Sequence, residues 1–463
     1  MDIATDILTI LAFIFVCGLL TFVIKSRQAK SLLINKQRLR SMPHYHGFYV
    51  FFWAVFPALI CLLIFLVIES PIQNSLITNY LPKSIILMGQ DEIIYSIREL
   101  GNNLGNLESI ISLGILNSNE AKSLYSNYLI FRYSCLAFIC ILSLGLAINF
   151  GNRLSLRFDA RRSVEKILRF IFFTFSTVAV LTTFGIILSL IFETVRFFSH
   201  VSFFEFLFGT HWSPQTAIRE DQIGSSGSFG AVPVFTGTLL ITFIAMIIAA
   251  PLGLFSAIYL SQYAKPGVRS YFKPILEILA GIPTVVYGFF AALSVGPLIR
   301  TIGQSFGLTV STESALAAGL IMGIMIIPYV SSLSDDVMSA VPENLRDGSL
   351  ALGATKSETI RRVIIPAALP GIVGALLLAI SRAIGETMIV VMAAGLAANL
   401  TVNPFSAVTT VTVQIVTLLV GDQEFDSPKT LAAFALGLVL FFITLILNII
   451  SMITVRKYRE RYE

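Results

Sequence analysis

The chain has 463 residues and a formal net charge of +5, and 56% of its residues are hydrophobic while only 13% are charged. Soluble domains carry about 25% charged residues, so this composition excludes an ordinary soluble protein and indicates one that spans a membrane. The four cysteines lie inside apolar runs, where cysteine acts as a small hydrophobic residue. Neither a disulfide framework nor a metal site is predicted.

Nine apolar runs are long enough to cross a bilayer as helices, which takes about 20 residues each. These predicted spans are residues 8–24, 47–68, 130–150, 168–192, 232–260, 275–298, 314–333, 368–397 and 431–455. The first run is preceded only by the acidic Asp2 and Asp6 and is followed by a basic stretch. That polarity is typical of a retained span with its N-terminus outside and not of a cleaved signal peptide.

Most lysines and arginines follow the odd-numbered spans. They cluster within residues 25–40, 153–169, 265–273, 346–362 and 456–461. The positive-inside rule places these stretches in the cytoplasm, so the count of spans must be odd. The sequence therefore predicts an all-α polytopic membrane protein with nine transmembrane helices, its N-terminus out and its C-terminus in. The basic excess reports topology and contact with anionic lipid, and nucleic acid is not implied.

Two parts of the chain differ in character. Residues 1–150 are predicted to form an N-terminal extension with three spans and an outside, periplasm-facing segment over 69–129. Apolar residues between Asp91 and Asn117 recur at close to helical spacing, which predicts an amphipathic helix in that segment. This helix either packs on its own spans or contacts a partner. Residues 151–463 are predicted to form a second domain with six spans.

The fifth and sixth spans carry unusual residues. Small residues from Ala249 to Ala257 predict close helix packing. Gly281-Ile282-Pro283 is expected to interrupt the sixth span near its middle or inner third, with Glu277 nearer its inner end, because proline and glycine break the helical hydrogen-bond ladder. Gly281 and Pro283 are therefore candidates for a gating or packing role.

A polar loop over residues 334–366 separates the seventh and eighth spans. Pro342 favours the first turn of a short helix, and Gly353 suits the left-handed conformation that ends one. Thr355 and Glu358 have the spacing of a capping box that begins a second short helix, and Pro366 marks the start of the eighth span. A rigid helix–glycine–helix projection of this kind could dock into a soluble partner. The alternative is an ordinary cytoplasmic loop.

Arg382 and Glu386 are the ionisable residues expected deep in a span. They lie four residues apart, which on a continuous helix places them on one face. An arginine at a helix centre costs about 2.5–3.5 kcal/mol on insertion scales, so such a residue faces protein or water and suggests a transport pathway. Arg382 could bind a passing oxyanion, with Glu386 holding the guanidinium when the site is empty. A permanent structural salt bridge is the alternative.

One apolar stretch, residues 408–420, is too short to span a bilayer. We expect it on the outer face, either as a re-entrant element or as an interfacial helix that shields the bundle. The chain contains no Gly-Lys pair and therefore no Walker A loop, and no hydrolase or metalloprotease motif occurs. Catalytic residues are not predicted, and any ATP hydrolysis must come from another chain.

The motifs in residues 231–264, 278–291, 334–366 and 381–390 together resemble the phosphate-specific permeases of ABC transporters, the C-type subunit of the Pst system. The loop is similar to the EAA loop of ABC importer permeases, although Asp-Gly-Ser replaces the EAA triplet. The matching loop positions are Asp347, Gly348, Ser349, Gly353, Val363, Ile365 and Pro366. The segment 224–233 before the fifth span also fits the resemblance.

The resemblance implies a type I importer permease core that moves inorganic phosphate across the bacterial inner membrane. It implies three kinds of partner, in addition to the membrane lipid expected from the basic excess: an A-type permease subunit, a cytoplasmic ATPase dimer and a periplasmic phosphate-binding protein. It further implies that Arg382 and Glu386 line the pathway, that the loop docks the ATPase, and that the chain is linked to a sensor kinase. ATP would be used by the partner, and no cofactor or metal would be bound here.

Two other functions remain open. The chain could be the permease for another oxyanion, such as sulfate or molybdate. It could also be a membrane sensor or scaffold in phosphate signalling that transports nothing, in which case Arg382 and Glu386 could be replaced by apolar residues without loss of function.

Overall fold

The computed structural model of the protein describes residues 3–34, 40–82, 85, 90–152, 158–214, 227–420 and 426–459. Parts of the basic stretches that support the predicted topology, and residues 224–226 of the resemblance, lie outside these ranges. The chain divides into two compact units, Met1–Leu181 and Thr182–Glu463. The predicted boundary after residue 150 remains a prediction.

The first unit is built on three long helices, α1 (Ile3–Ile34), α2 (Pro43–Tyr80) and α5 (Ser118–Asn152). Two shorter helices, α3 (Gln90–Asn103) and α4 (Leu107–Ser112), lie between α2 and α5 in the chain. The amphipathic segment is therefore two helices, and Leu100, Leu104 and Ile110 pack with Ile77 and Tyr128 in one apolar cluster. This packing on its own spans is what burial of an amphipathic face requires.

Buried charges join the long helices of the first unit, which the sequence did not predict. Arg132 of α5 is 3% exposed and lies 3.4 Å from Asp6 of α1 and 3.9 Å from Glu69 of α2. The Tyr128 hydroxyl donates a hydrogen bond to Glu69 over 3.1 Å. Arg382 and Glu386 are therefore not the only ionisable residues within the spans. Opposite charges that share a buried site offset the cost of desolvation.

Helix α6 (Ala160–Phe198) crosses the boundary between the units. The second unit continues with α7 (Phe203–Phe208), the short antiparallel pair β1 (Trp212–Ser213) and β2 (Ser228–Phe229), and α8 (Val232–Ile258), which ends in a π-helical turn at Tyr259–Tyr263. Further helices are α9 (Pro266–Gly281), α10 (Thr284–Phe290), a π-helical turn at Ala291–Val295, α11 (Gly296–Ser305) and α12 (Ala315–Ser339).

The C-terminal part of the second unit begins with α13 (Glu343–Ala351), α14 (Lys356–Thr359) and a π-helical turn at Ile360–Ile364. It ends with α15 (Ile365–Ile384), α16 (Met388–Ala393), α17 (Val411–Leu419) and α18 (Pro428–Arg459).

Helices α8 and α12 form the packed centre of the second unit. Ala245, Ala249, Met322 and Ile326 are buried in its main apolar cluster. A Cβ atom on Gly253 would lie 2.7 Å from the Cβ of Val330, so only glycine permits this approach of the two helices. The predicted packing role of the small residues in the fifth span is confirmed.

Within the described residues, nine helical segments are long and apolar enough to cross a membrane, which confirms the predicted number of spans. The sixth differs from the prediction: it runs from Thr284 to Ser305, and Gly281-Ile282-Pro283 lies before it and not in its middle. The preceding helix α9 buries none of its residues and carries the exposed Glu277. Apolar composition alone could not separate this amphipathic helix from the span that follows.

The short apolar stretch over residues 408–420 forms α17 and is mostly buried. Val408 and Val413 pack in the main cluster around α8 and α12, while Val411 and Leu418 pack with Trp212 in a second cluster. The Nε1 of Trp212 donates a hydrogen bond to Gln414 over 2.8 Å. One face of this segment is therefore buried against the rest of the second unit, while Val416 and Leu419 are exposed, and both the re-entrant and the interfacial alternative stay predictions.

Candidate functional site

The loop between the seventh and eighth spans has the predicted helix–glycine–helix form. Helix α13 begins after Pro342, which is its N-cap residue, and it is followed by Gly353 with a φ of +84°. The Gly353 amide donates to Leu350 over 2.9 Å, and the Ala354 amide donates to Ser349 over 3.2 Å. These two bonds are the Schellman arrangement that satisfies carbonyls at a helix C-terminus, so the prediction for Gly353 is confirmed.

The capping box at the start of α14 is also confirmed. The Glu358 carboxylate accepts a hydrogen bond from the Thr355 amide over 2.9 Å, and the Glu358 amide donates to the Thr355 hydroxyl over 3.3 Å. The hydroxyl groups of Ser349 and Thr359 lie 2.9 Å apart, which joins α13 to α14. The Ser349–Thr359 contact restrains the angle between the two short helices, because it bridges the turn at Gly353.

The loop stands on an apolar base and presents apolar side chains outward. Ile360 and Ile364 are buried with Met338 and Ala257, whereas Leu352 is 91% exposed. Leu345 and Leu350 are also exposed on α13. The other positions of the EAA-like pattern divide into the exposed Asp347, Gly348 and Pro366 and the half-buried Ser349, Val363 and Ile365. Exposed apolar side chains on an ordered projection are typical of a surface that another protein covers.

The structure separates Arg382 from Glu386, contrary to the prediction that they share a helix face. Helix α15 ends at Ile384, because Gly385 is its C-cap residue and the chain turns before α16. The Glu386 carboxylate instead accepts hydrogen bonds from the Met388 and Ile389 amides over 3.1 and 3.3 Å, which caps α16. No ion pair joins Arg382 to Glu386 within the described residues, so the expectation that Glu386 holds the Arg382 guanidinium was wrong. The alternative of a structural salt bridge between helices stays a prediction.

Arg382 is exposed and lies in the last turn of α15, where the helix dipole favours a cation. Its guanidinium carbon is 5.4 Å from the ring centroid of Tyr329 on α12, within the range of a cation–π contact. Arg382 forms no ion pair with any residue in the described ranges. Its N–H donors are therefore available to an anion that approaches this face.

Sequence reasoning missed two residues at this site. Tyr329 follows Pro328 in an apolar run and has no distinguishing signal, so only packing of α12 against α15 shows its role. Thr412 of α17 donates a hydrogen bond to the Glu386 carbonyl over 2.9 Å, which joins α17 to the turn after α15. Gly281 and Pro283 lie at a separate break, where the Tyr287 hydroxyl donates to the Leu279 carbonyl over 2.8 Å.

Comparison with known proteins agrees with this architecture. Residues 249–460 match the family described as the binding-protein-dependent transport system inner membrane component. Residues 11–182 match a family described as phosphate ATP-binding cassette transporter.

Three curated relatives are similar over more than half of the chain. A probable ABC transporter permease protein, YqgH of Bacillus subtilis, is 34% identical over 56% of this chain and 79% of its own length. The phosphate transport system permease protein PstC 1 of Mycobacterium tuberculosis is 32% identical over 54% of this chain and 81% of its own. PstC of Mesorhizobium japonicum is 33% identical over 54% and 77%, respectively.

The names of these relatives describe them as permease proteins. The nine candidate spans and the match of the second unit agree with such a subunit. The chain therefore belongs to the binding-protein-dependent inner membrane components of ABC transporters, and it is a multi-pass permease of that family.

Proposed function

We propose that this chain is the permease subunit of an ATP-driven importer that moves inorganic phosphate across the bacterial inner membrane. The names of the curated relatives PstC and PstC 1, together with the phosphate transporter family matched by residues 11–182, support phosphate as the cargo. The family match of the second unit supports a permease that works with a binding protein.

The structural observation that supports the proposal most directly is the exposure of Arg382 and its contact with Tyr329. Its guanidinium is exposed, contacts the ring of Tyr329 and has no carboxylate partner within the described ranges. A planar guanidinium donates two parallel hydrogen bonds to an oxyanion, and phosphate offers oxygens in that geometry. Because a single fixed cation attracts the anion without enclosing it, phosphate could be bound and then released in one transport cycle.

Glu386 has a different role in this proposal from the one its spacing suggested. By capping α16 it fixes the turn after α15, and the Thr412 contact joins this turn to α17. Its carboxylate also adds negative charge near the pathway, which would lower the affinity for phosphate and favour release. Arg382 and Glu386 lie on either side of Gly385. The end of α15 would therefore be the core of the proposed pathway.

The proposed partners follow from the surfaces of the second unit. The loop over residues 334–366 would dock a separate cytoplasmic ATPase, which hydrolyses the ATP, and this chain would hold no cofactor of its own. An A-type permease would complete the pathway facing Arg382, and a periplasmic phosphate-binding protein would deliver the cargo. With the loop inside, the N-terminus would be out and the C-terminus in. A link to a sensor kinase is part of the same proposal.

The test is ATP-dependent uptake of radiolabelled phosphate by proteoliposomes that hold the complete complex, with sulfate as competitor. Uptake that an excess of sulfate does not suppress would support the proposal. Suppression by sulfate would favour a different oxyanion as the cargo. ATP hydrolysis without phosphate uptake would contradict phosphate as the cargo, and it would favour first another oxyanion and then the signalling alternative.

A further inference from the structure

A buried carboxylate binds two cations at the C-terminal end of α12. Asp335 is 2% exposed, and both of its oxygens accept hydrogen bonds from Nη2 of Arg269, over 3.0 and 2.9 Å. The Lys273 ammonium donates to the same carboxylate over 2.8 Å. Both cations belong to α9, so Asp335 joins α9 to α12 across more than sixty residues of chain.

This pairing is tight because one partner is inaccessible to water. A buried carboxylate without a cation is strongly disfavoured, so Asp335 holds α9 in place for as long as both helices keep their positions. The hydrogen bond with Asp335 raises the pKa of Lys273, so the pairing favours the charged form of the lysine. The neighbouring Asp336 is exposed and lies 3.4 Å from Lys273, so it adds little to the pairing.

Helix α9 has few other anchors to the second unit. None of its residues is buried, and its outward face exposes Tyr271, Phe272, Ile275 and Ile278. It is preceded by the π-helical turn at Tyr259–Tyr263 and followed by the break at Ile282–Pro283. Irregular backbone at both ends lets a helix move as a rigid body, because the adjoining dihedral angles absorb the change.

The same helix end leads directly into the proposed ATPase-docking loop. Helix α12 ends four residues after Asp335, and α13 begins at Glu343. On the other side of the loop, the Lys356 ammonium lies 5.3 Å from the ring centroid of Tyr263, just before α9. Ser261 contacts the sulfur of Met338 over 4.0 Å. The loop therefore contacts the π-helical turn that precedes α9, while Asp335 binds the first half of α9.

We infer that Asp335 is a positioning residue that makes α9 move together with the docking loop and so transmits ATPase motion to the break at Gly281–Pro283 before the sixth span. The inference rests on the proposed function of the loop and extends it to a specific path. Motion of α13 displaces the end of α12, Asp335 carries Arg269 and Lys273 with it, and α9 turns about its two irregular ends. The sixth span, which begins at Thr284, then changes its angle.

The experiment measures motion at Ile282 independently of the cargo. In the full complex with Ile282→Cys, the rate of maleimide labelling is compared with and without ATP plus vanadate, and the complex without this cysteine gives the background. We expect a nucleotide-dependent change of at least about fivefold, the lower end of allosteric coupling, and its loss in Asp335→Asn. The matched control, Asp336→Asn, should respond as the parent complex does.

The results of this experiment distinguish the inference about Asp335 from the proposal that phosphate is the cargo. An unchanged response in an assembled Asp335→Asn complex overturns the inference, whereas a normal nucleotide response in a complex that takes up no phosphate contradicts only the proposed cargo. If Asp335→Asn does not assemble, the single variants Arg269→Gln and Lys273→Gln decide, since each leaves one cation on Asp335. A weakened response in both supports the inference, and a full response in both overturns it.

Discussion

At the scale of single residues, two contacts stabilise the Arg382 guanidinium and leave its N–H groups able to bind an anion. The last turn of α15 and the ring of Tyr329 both stabilise the cation, so it needs no carboxylate partner to be tolerated. This matters for transport, because a guanidinium already saturated by a carboxylate would have to exchange partners before it could bind an anion. The contact with Tyr329 instead leaves the N–H groups free to donate.

We predict that Arg382→Gln abolishes phosphate uptake while the complex still assembles, because glutamine keeps a polar side chain but is shorter and loses the charge and the two-pronged donor. Arg382→Lys should retain only part of the rate. Uptake in proteoliposomes, with assembly checked by copurification, measures both. The matched control is Arg300→Gln, since Arg300 is also exposed and bonds Thr312 away from this site. Native uptake by an assembled Arg382→Gln complex would exclude the pathway role.

Tyr329 should act through its ring and not through its hydroxyl group. Cation–π contacts contribute about 0.5–2 kcal/mol, so Tyr329→Leu should weaken uptake by roughly two- to thirtyfold, while Tyr329→Phe should stay near the native rate. The initial rate of uptake over a range of phosphate concentrations is the measurement. Equal losses in both variants would show that the hydroxyl group matters and that the ring contact does not.

At the scale of elements, the docking loop is defined by hydrogen bonds within a few residues. The Schellman bonds need a left-handed Gly353, and the capping box needs Thr355 and Glu358 at their observed spacing. These contacts order the loop locally. They also explain why so much of its structure follows from the sequence: each bond joins residues at most five positions apart, so tertiary packing is not needed to form it.

We predict that Gly353→Pro weakens ATPase association, because proline cannot adopt a φ of +84° and lacks the amide that bonds Leu350. Copurification of the ATPase with the permease pair measures the effect. Gly307→Pro is the control, since Gly307 is also left-handed, with a φ of +74°, but precedes the opposite end of α12. Full copurification with the Gly353 variant would show that this loop is not the docking element.

A milder variant distinguishes the effect of order within the loop from the effect of its apolar contact with the ATPase. Thr355→Ala removes the capping hydroxyl and should cost about 1 kcal/mol in local stability, while the exposed leucines of α13 are untouched. We therefore expect an ATPase association weakened less than by Leu352→Asp, which places a charge on the most exposed leucine. Titration of the purified ATPase against the permease pair gives both affinities. The opposite order would mean that loop rigidity outweighs the apolar contact.

At the scale of the whole molecule, the two compact units correspond to different sequence families. Residues 11–182 match one family and residues 249–460 another, and the units meet after Leu181. Each has its own apolar core, and the buried Asp6, Glu69 and Arg132 lie in the first. The residues proposed for anion passage and ATPase docking all lie in the second.

This division predicts that Arg132→Met destabilises the first unit without a direct effect on transport. Removing one partner from a buried charge group costs about 3–5 kcal/mol, because Asp6 and Glu69 would stay buried without their cation. Limited proteolysis should cleave the first unit sooner, while phosphate uptake per assembled complex stays the same. Arg98→Gln, an exposed change on α3, is the control. An equal loss of uptake and stability would show that the units act as one.

The sequence by itself determined the features that depend on composition or on near neighbours. The number of spans follows from apolar length, since the bilayer sets how many residues a helix needs. The turn at Gly353 and the capping box follow from residues within one helical turn of each other. The family resemblance likewise rested on motifs in order along the chain, and the matched families agree with it.

Only the tertiary structure decided which distant residues meet. Whether α15 continued past Ile384 depended on packing of α16 and α17, and this placed Arg382 beside Tyr329 instead of Glu386. The partners of Asp335 and of Arg132 lie more than sixty residues away along the chain, so no local pattern reveals them. Hydropathy reports how much of a segment is apolar. It does not report which neighbours cover it, and for that reason it missed the burial of α17 and the separate helix α9.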